Sequence, residues 1–341
     1  GDLVLEELIP GGPAWKSNAL NEDDLIAGIS LNGKESLPLA ELSADEINQI
    51  LHKTAGDTLN VTVIKKDLQI RSVELRRENI RSAGNILNSY VVQRNKKRIG
   101  FIPIPSFYLD HDGEGHQGCA NDVAKEIIEL RKDSVEGIIL DLRYNGGGSM
   151  REAIALAGIF IDEGPVAIYR HRGDDPFLLK DLNRGTIWEG PLLILINSAS
   201  ASASEFVTAT LQDYNRAIVA GSESFGKGTA QTLIPADSNA LSENFIPDPN
   251  AGFLKVTGGK FYRVTSRSHQ GKGIVPDIYI PGVIEKVLQR ESSFPYFLAC
   301  DSVEKEARFK ALPSLPVADL RNKSAQRLNA APRFHKIGQL G

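Results

Sequence analysis

Three short apolar runs constrain the fold of this chain more than any other feature. They are "EGIILDLR" (136–143), "GPLLILIN" (190–197) and "RAIVAG" (216–221), each followed by a turn of small residues: "YNGGG", "SASASAS" and "SESFGKG". Runs of this length that are apolar at nearly every position are strands buried on both faces, and such strands need cover on both sides. The segments after the first two, "SMREAIALAGIFI" and "ASEFVTATLQDY", have helical apolar spacing. Strand, small-residue turn and helix in alternation predict a layered α/β core built on a sheet. In such sheets sites gather past the carboxyl ends of the strands, which is where all three turns fall.

At 341 residues the chain exceeds what one hydrophobic core usually supports, so more than one domain is expected. With 41% hydrophobic and 24% charged residues and a formal net charge of -4, it has no basic excess that would argue for a nucleic-acid partner. No run reaches the roughly 18 apolar residues of a membrane helix. Cys119 and Cys300 are too few and too far apart for a zinc cluster or a disulfide framework, and they read as two thiols or as one pair in an oxidising compartment. The histidines at 52, 111, 116, 171, 269 and 335 lack metal-site spacing, and neither a metal nor another cofactor is expected.

Residues 1–76 read as a small unit of strands and helices. "DLVLEELI" and "DDLIAGISLNGK" are strand-like, and Asn32-Gly33 favours a tight turn. Ser43 and Glu46 have the spacing of a capping box before a helix at 44–53, whose apolar face carries Ile47, Ile50 and Leu51. "DTLNVTVIKKD" alternates as a strand. This order, with "PGGPA" ahead of "DDLIAGI" and "NG", resembles a PDZ domain. The resemblance implies a unit that pairs a peptide C-terminus beside that helix, with Ile47, Ile50 and Leu51 as contacts. Such domains carry a carboxylate-binding loop ahead of their first strand, so the loop is expected to lie outside this sequence, in a longer parent chain.

Residues 77–98, with "RRENIR" and "RNKKR", read as a charged connector, and 99–290 as the α/β core. Within that core 233–254 reads as loop, and "FLKVTGGKFYRVTS" as a hairpin turning at Gly258-Gly259. Residues 291–341, with "VEKEARFKAL" and "ADLRNKSAQRLNAA", read as a small helical region.

The turn "GSESFGKGT" places Gly221, Gly226 and Lys227 as in a phosphate-binding loop, but Gly228 stands where that motif needs Ser or Thr. The "TAQTLIPAD" that follows is β-type rather than the helix whose N-terminus would hold the phosphate. Another use of lysine fits better. Burial in apolar surroundings disfavours the charged form of an amine and makes it a general base. A base needs a nucleophile, and Ser198, Ser200, Ser202 and Ser204 lie at a strand-to-helix junction, where backbone N–H groups can also stabilise an oxyanion. Helix capping by small residues is the plainer reading of that run, as a tight turn is of "NGGG".

Taken together and in order, "GIILDLRYNGGG", "SASASEFVTATLQDYNRAIVAG", "FGKGTAQ" and "KFYRVTSRSHQGKGIVPDI" resemble the carboxyl-terminal processing peptidases, the tail-specific proteases of bacterial envelopes. The resemblance covers nearly the whole chain. It implies an α/β multidomain protein: a PDZ-like domain, a layered α/β protease core like that of crotonase and ClpP, and a small helical C-terminal region. It implies a serine endopeptidase with a Ser/Lys dyad. Carried over by position, the nucleophile is Ser202 and the base is Lys227, 25 positions on. Gln231 orients the amine, and the N–H groups of Gly147 and Ala203 form the oxyanion site. Asp213 has either a supporting role in activity or a structural one. The implied partners are protein or peptide substrates with apolar C-terminal tails and an adaptor or regulatory lipoprotein; the implied location is the periplasm or cell envelope of a bacterium. Two other classes share part of the pattern. A non-catalytic peptide-binding scaffold would keep the fold but has no need of Ser202, Lys227 and Gln231. A crotonase-like acyl-CoA enzyme shares the oxyanion glycines but not "FGKG" or the PDZ-like start.

Overall fold

The computed structural model describes the chain except for residues 1–2, 7, 9–11, 32–36, 40–41, 44–45, 48–57, 78–86, 110–117, 237–251, 284, 286, 305–306, 333, 335–336 and 338–341. Two compact units divide it, Gly1–Ile86 and Leu87–Gly341.

The described residues of the first unit form an antiparallel sheet that carries the short helix α1 (Pro13–Lys16). Strands β1 (Leu3–Val4), β2 (Leu25–Leu31), β4 (Thr58–Ile64) and β5 (Ile70–Arg76) lie side by side in that order, and β3 (Leu37–Pro38) also pairs with β2. Val61 and Val63 alternate with more exposed neighbours along β4, as a strand with one covered face requires, and they pack with Leu20 and Val73 into a small core. A buried ion pair, Lys65 Nζ to Asp24 at 2.6 Å, sits at the end of this sheet. The capping box is present: Ser43 N–H donates to Glu46 Oε2 at 2.8 Å and Glu46 N–H donates to Ser43 Oγ at 3.3 Å. Of the three apolar helix positions only Ile47, half-buried, is among the described residues; Ile50 and Leu51, like the Asn32-Gly33 turn, lie outside them.

In the second unit a six-stranded sheet runs β15 (Ile278–Tyr279), β12 (Ile218–Gly221), β11 (Leu192–Ile196), β8 (Gly137–Asp141), β7 (Lys97–Pro103), β6 (Tyr90–Arg94). All neighbours are parallel except β6 and β7. The part of the expected connector that contains β6 is therefore a hairpin arm. Asn95 and Lys96, both at positive φ, make its two-residue turn, a conformation whose twist suits a hairpin. Helices α2 (Cys119–Lys132), α3 (Met150–Gly158) and α4 (Ala203–Asp213) cover one face of the sheet. Alternate residues explain the unbroken apolar runs. Leu192, Ile194 and Ile196 join the core under the helices, while Leu193 and Leu195 face the opposite side, toward Leu315, Val317 and Leu320. Helix α5 (Val317–Ala330) begins there.

A second sheet, fully antiparallel, runs β10 (Phe177–Asp181), β9 (Gly164–His171), β14 (Phe253–Tyr262), β13 (Thr229–Pro235). The hairpin expected at Gly258-Gly259 does not exist; both glycines lie inside β14, whose antiparallel partner is β13. Gly259 is needed there for close approach, because a Cβ would lie 2.5 Å from the Tyr169 ring. The described residues of "VEKEARFKAL" form no helix; Val303 and Ala307 among them are buried, and the Phe309 ring lies 4.9 Å from that of Tyr214. Both cysteines are free thiols; burial, with Glu152 and Asp122 nearby, pushes the Cys119 thiol up to about 12. Among the described residues no helix is long and apolar enough to cross a membrane.

Candidate active site

Because β8, β11 and β12 are parallel, their carboxyl ends open on one edge of the sheet, and the three small-residue turns meet there. Backbone bonds hold the turns together. Ala201 N–H donates to Asn145 O at 3.0 Å, Phe225 N–H to Ser200 O at 2.9 Å, and Ser222 N–H to Ile196 O at 3.2 Å. Ser204 Oγ adds a bond to Asn145 O at 2.9 Å. The serine run is thus divided in its duties: Ser200 and Ser204 are buried and hydrogen-bonded to backbone, and Ser202 alone of these three is half-buried at the turn.

Ser202 caps α4 with φ 58° and ψ -114°. A residue other than glycine at positive φ is strained, at a cost of about 1–3 kcal/mol, and survives only where its surroundings impose it. Those surroundings centre on Glu205, which is fully buried. Its Oε2 accepts from the N–H groups of Ser202 and Lys227, both at 2.8 Å. Its Oε1 accepts from Ser224 Oγ at 2.6 Å and Gly226 N–H at 2.7 Å. One carboxylate therefore fixes the main chain at both Ser202 and Lys227. The sequence signal for it was the Ser-x-x-Glu spacing of a capping box, Glu205 standing three residues after Ser202.

Lys227 precedes strand β13, not a helix, so the geometry of a phosphate-binding loop is absent here. Glycine at 228 is dictated by packing: a Cβ would come within 3.0 Å of Gln270 N, and the Gly228 N–H donates to Gln270 Oε1 at 2.7 Å. Among the described residues Lys227 Nζ has no hydrogen-bond partner, so a bond from it to Ser202 Oγ is not made in this conformation. Gln231 lies with Lys227 on the wall of one cavity, and its Nε2 donates to Thr229 Oγ1 at 2.9 Å.

The glycine turn approaches the nucleophile closely. Gly147 has φ 104°, and a Cβ there would stand 2.8 Å from Ser202 Cβ and 3.0 Å from Ala203 N. The Ala203 N–H, at the first position of α4, has no partner among the described residues, as helix N-termini leave their first donors. The Gly147 N–H instead donates to Asn145 Oδ1 at 2.8 Å. Asn145 is completely buried and was not singled out in the sequence; its Nδ2 donates to Ile104 O at 2.9 Å. Asp213 stands apart from this group, at the far end of α4, in a bidentate pair with Arg263 whose shortest contact is 2.6 Å. Among the described residues no three His, Cys, Asp or Glu side chains converge as a metal ion would need.

Residues 98–280 match Peptidase family S41, and the chain belongs to that family. It is 32% identical over 311 residues to the tail-specific protease of Haemophilus influenzae, covering 89% of this chain and 42% of that protein. It is 30% identical over 282 residues to a "Probable CtpA-like serine protease" of Staphylococcus aureus, covering 82% of this chain and 50% of that one. The chain thus spans about half the length of the curated relatives it matches. Among solved structures, a photosystem II D1 C-terminal processing protease aligns over 82% of this chain and 68% of its own, at 21% identity and a TM-score of 0.48.

Proposed function

We propose that the chain is a serine endopeptidase in which Ser202 is the nucleophile and Lys227 the general base. The observation that carries this reading is the Glu205 carboxylate, which binds the main-chain N–H of both residues at 2.8 Å and so couples the positions of nucleophile and base. Lys227 Nζ takes the proton from Ser202 Oγ as the oxygen attacks the peptide carbonyl carbon. The resulting oxyanion rests on the Ala203 N–H and on the Gly147 N–H, which exchanges its bond to Asn145 Oδ1 for one to the substrate. Collapse breaks the C–N bond, and Lys227 returns the proton to the leaving amine. Water then attacks the acyl-enzyme by the same route. Gln231 is a positioning residue: its Nε2 is held by Thr229, which leaves Oε1 to accept from the amine. Asp213 acts structurally through Arg263.

The first unit, by its strand order and the Ser43/Glu46 capping box, is proposed to be PDZ-like and to select proteins by an apolar C-terminal tail, with Ile47, Ile50 and Leu51 as contacts. Protein processing or degradation in the bacterial cell envelope, with an adaptor lipoprotein as partner, is the role proposed for the whole protein. The test is cleavage of an unfolded protein ending in an apolar tail. Ser202→Ala and Lys227→Ala are each expected to lower kcat/KM by at least about 10³-fold, and an acidic tail to slow the wild type. Wild-type rates in Ser202→Ala would remove the reading.

A further inference from the structure

We infer that a cavity beside Lys227, walled by Phe225, Phe294, Phe297 and Leu298, is the subsite for an apolar side chain on the leaving-group residue of the substrate, the residue directly after the scissile bond. The inference rests on the Ser202/Lys227 reading above. The cavity is about 440 Å³, and Lys227 and Gln231 line it, whereas Ser202, Gly147 and Ala203 do not. It therefore lies on the base's side of the site. A general base that takes the nucleophile's proton and returns it to the leaving amine must face that amine, so the residue carrying the amine lies on the same side.

The wall comes from an unexpected place. Residues 291–298 belong to the region read from the sequence as a helical appendage, yet they return to the catalytic edge and are held there. Glu291 N–H donates to Phe225 O at 3.2 Å, and Gln270 Nε2 donates to Glu291 Oε1 at 2.7 Å. Gln270 in turn takes the Gly228 N–H, next to Lys227, at 2.7 Å. Beyond the wall, Lys260 Nζ donates to Ala299 O at 2.7 Å. The Phe297 ring lies so close to Gly271 that a Cβ there would stand 2.8 Å from it. The apolar side chains are thus placed by a hydrogen-bonded frame, yet Phe294 is 47% exposed and Leu298 45%. Core packing does not account for them. With Lys227 neutral as the base, Glu291 is the charged group at the cavity, and its Oε1 already accepts from Gln270 Nε2, so the aromatic and aliphatic walls favour an apolar guest over an anion.

The experiment is a series of unfolded peptides that differ only at the residue after the cut, with kcat/KM measured for Leu, Phe, Ala, Ser and Asp there. The wild type is expected to favour Leu or Phe over Ser by about 10- to 100-fold. Leu298→Trp, which narrows the cavity, is expected to shift the preference toward Ala, and Phe294→Ala, which widens it, toward Phe. Opposite shifts cannot come from general loss of fold, and the wild-type series decides if a variant does not fold. Indifference to that residue in a wild type that Ser202→Ala inactivates would overturn the subsite while leaving the dyad intact. Full activity in Ser202→Ala would overturn both.

Discussion

Glu205 accepts four hydrogen bonds in a place closed to water, and two of them reach the backbones of Ser202 and Lys227. A glutamine has the same shape but only one accepting atom, so Glu205→Gln turns two good contacts into N–H groups facing N–H or O–H donors. The expected result is a loss of about 10²-fold in kcat/KM through misplacement of the two groups, with stability lowered by about 2 kcal/mol. Kinetics and urea unfolding on the same variant check both. In the sequence Ser202, Lys227 and Gly147 lie in small-residue turns after apolar strands, and the resemblance to the processing peptidases is what selects Ser202 and Gly147 among their neighbours. Asn145 carried no such signal and Glu205 only the spacing of a helix cap, although both are buried beside the same turns. Their work is to satisfy backbone N–H groups, and which N–H groups lie in reach is decided only once three distant turns have come together.

Helix α4 carries the site at one end and a lock at the other. Asp213 is 9% exposed and its partner Arg263 21%, in a bidentate pair that ties the helix to the chain just past β14. Removing either partner strands the other, so Asp213→Ala and Arg263→Ala are each expected to cost about 2–3 kcal/mol. The double variant should cost less than the sum of the two, which a double-mutant cycle on thermal unfolding measures. At this scale strands buried on both faces were legible, because their composition leaves little else to be. So were the helices of "SMREAIALAGIFI" and "ASEFVTATLQDY", but two other segments were not. "VEKEARFKAL" reads as helix, yet its described residues form none and its Val303 and Ala307 are buried in the core, while Gly259 marks close approach to Tyr169 and Arg170 rather than a turn. Tertiary contact chose against local preference in both.

For the molecule as a whole, buried His269 links stability to pH. Neither ring nitrogen has a hydrogen-bond partner among the described residues. Burial lowers its pKa below the usual 6.5, against the opposing pull of Glu205, and Arg263 lowers it further. The unfolded chain takes up a proton on this residue near pH 6.5 while the folded chain does not, so the contribution is constant above that pH and is lost as pH falls below it. Between pH 7.5 and 5 the wild type is therefore expected to lose more thermal stability than His269→Phe; equal slopes would contradict this. The pattern from 99 onward made a layered α/β architecture readable from sequence alone. What sequence could not convey is that residues 291–298 return to Lys227, since nothing local in "ESSFPYFL" says which distant glycines it will rest on.

The central claim is that Ser202 Oγ forms a covalent acyl intermediate. Rapid acid quenching of wild-type enzyme during turnover of an unfolded peptide, followed by mass spectrometry of the digested protein, tests it directly. The expected result is the amino-terminal product fragment attached as an ester to Ser202, and none in Ser202→Ala. An acyl group found on another residue, or turnover by Ser202→Ala at the wild-type rate, would contradict it.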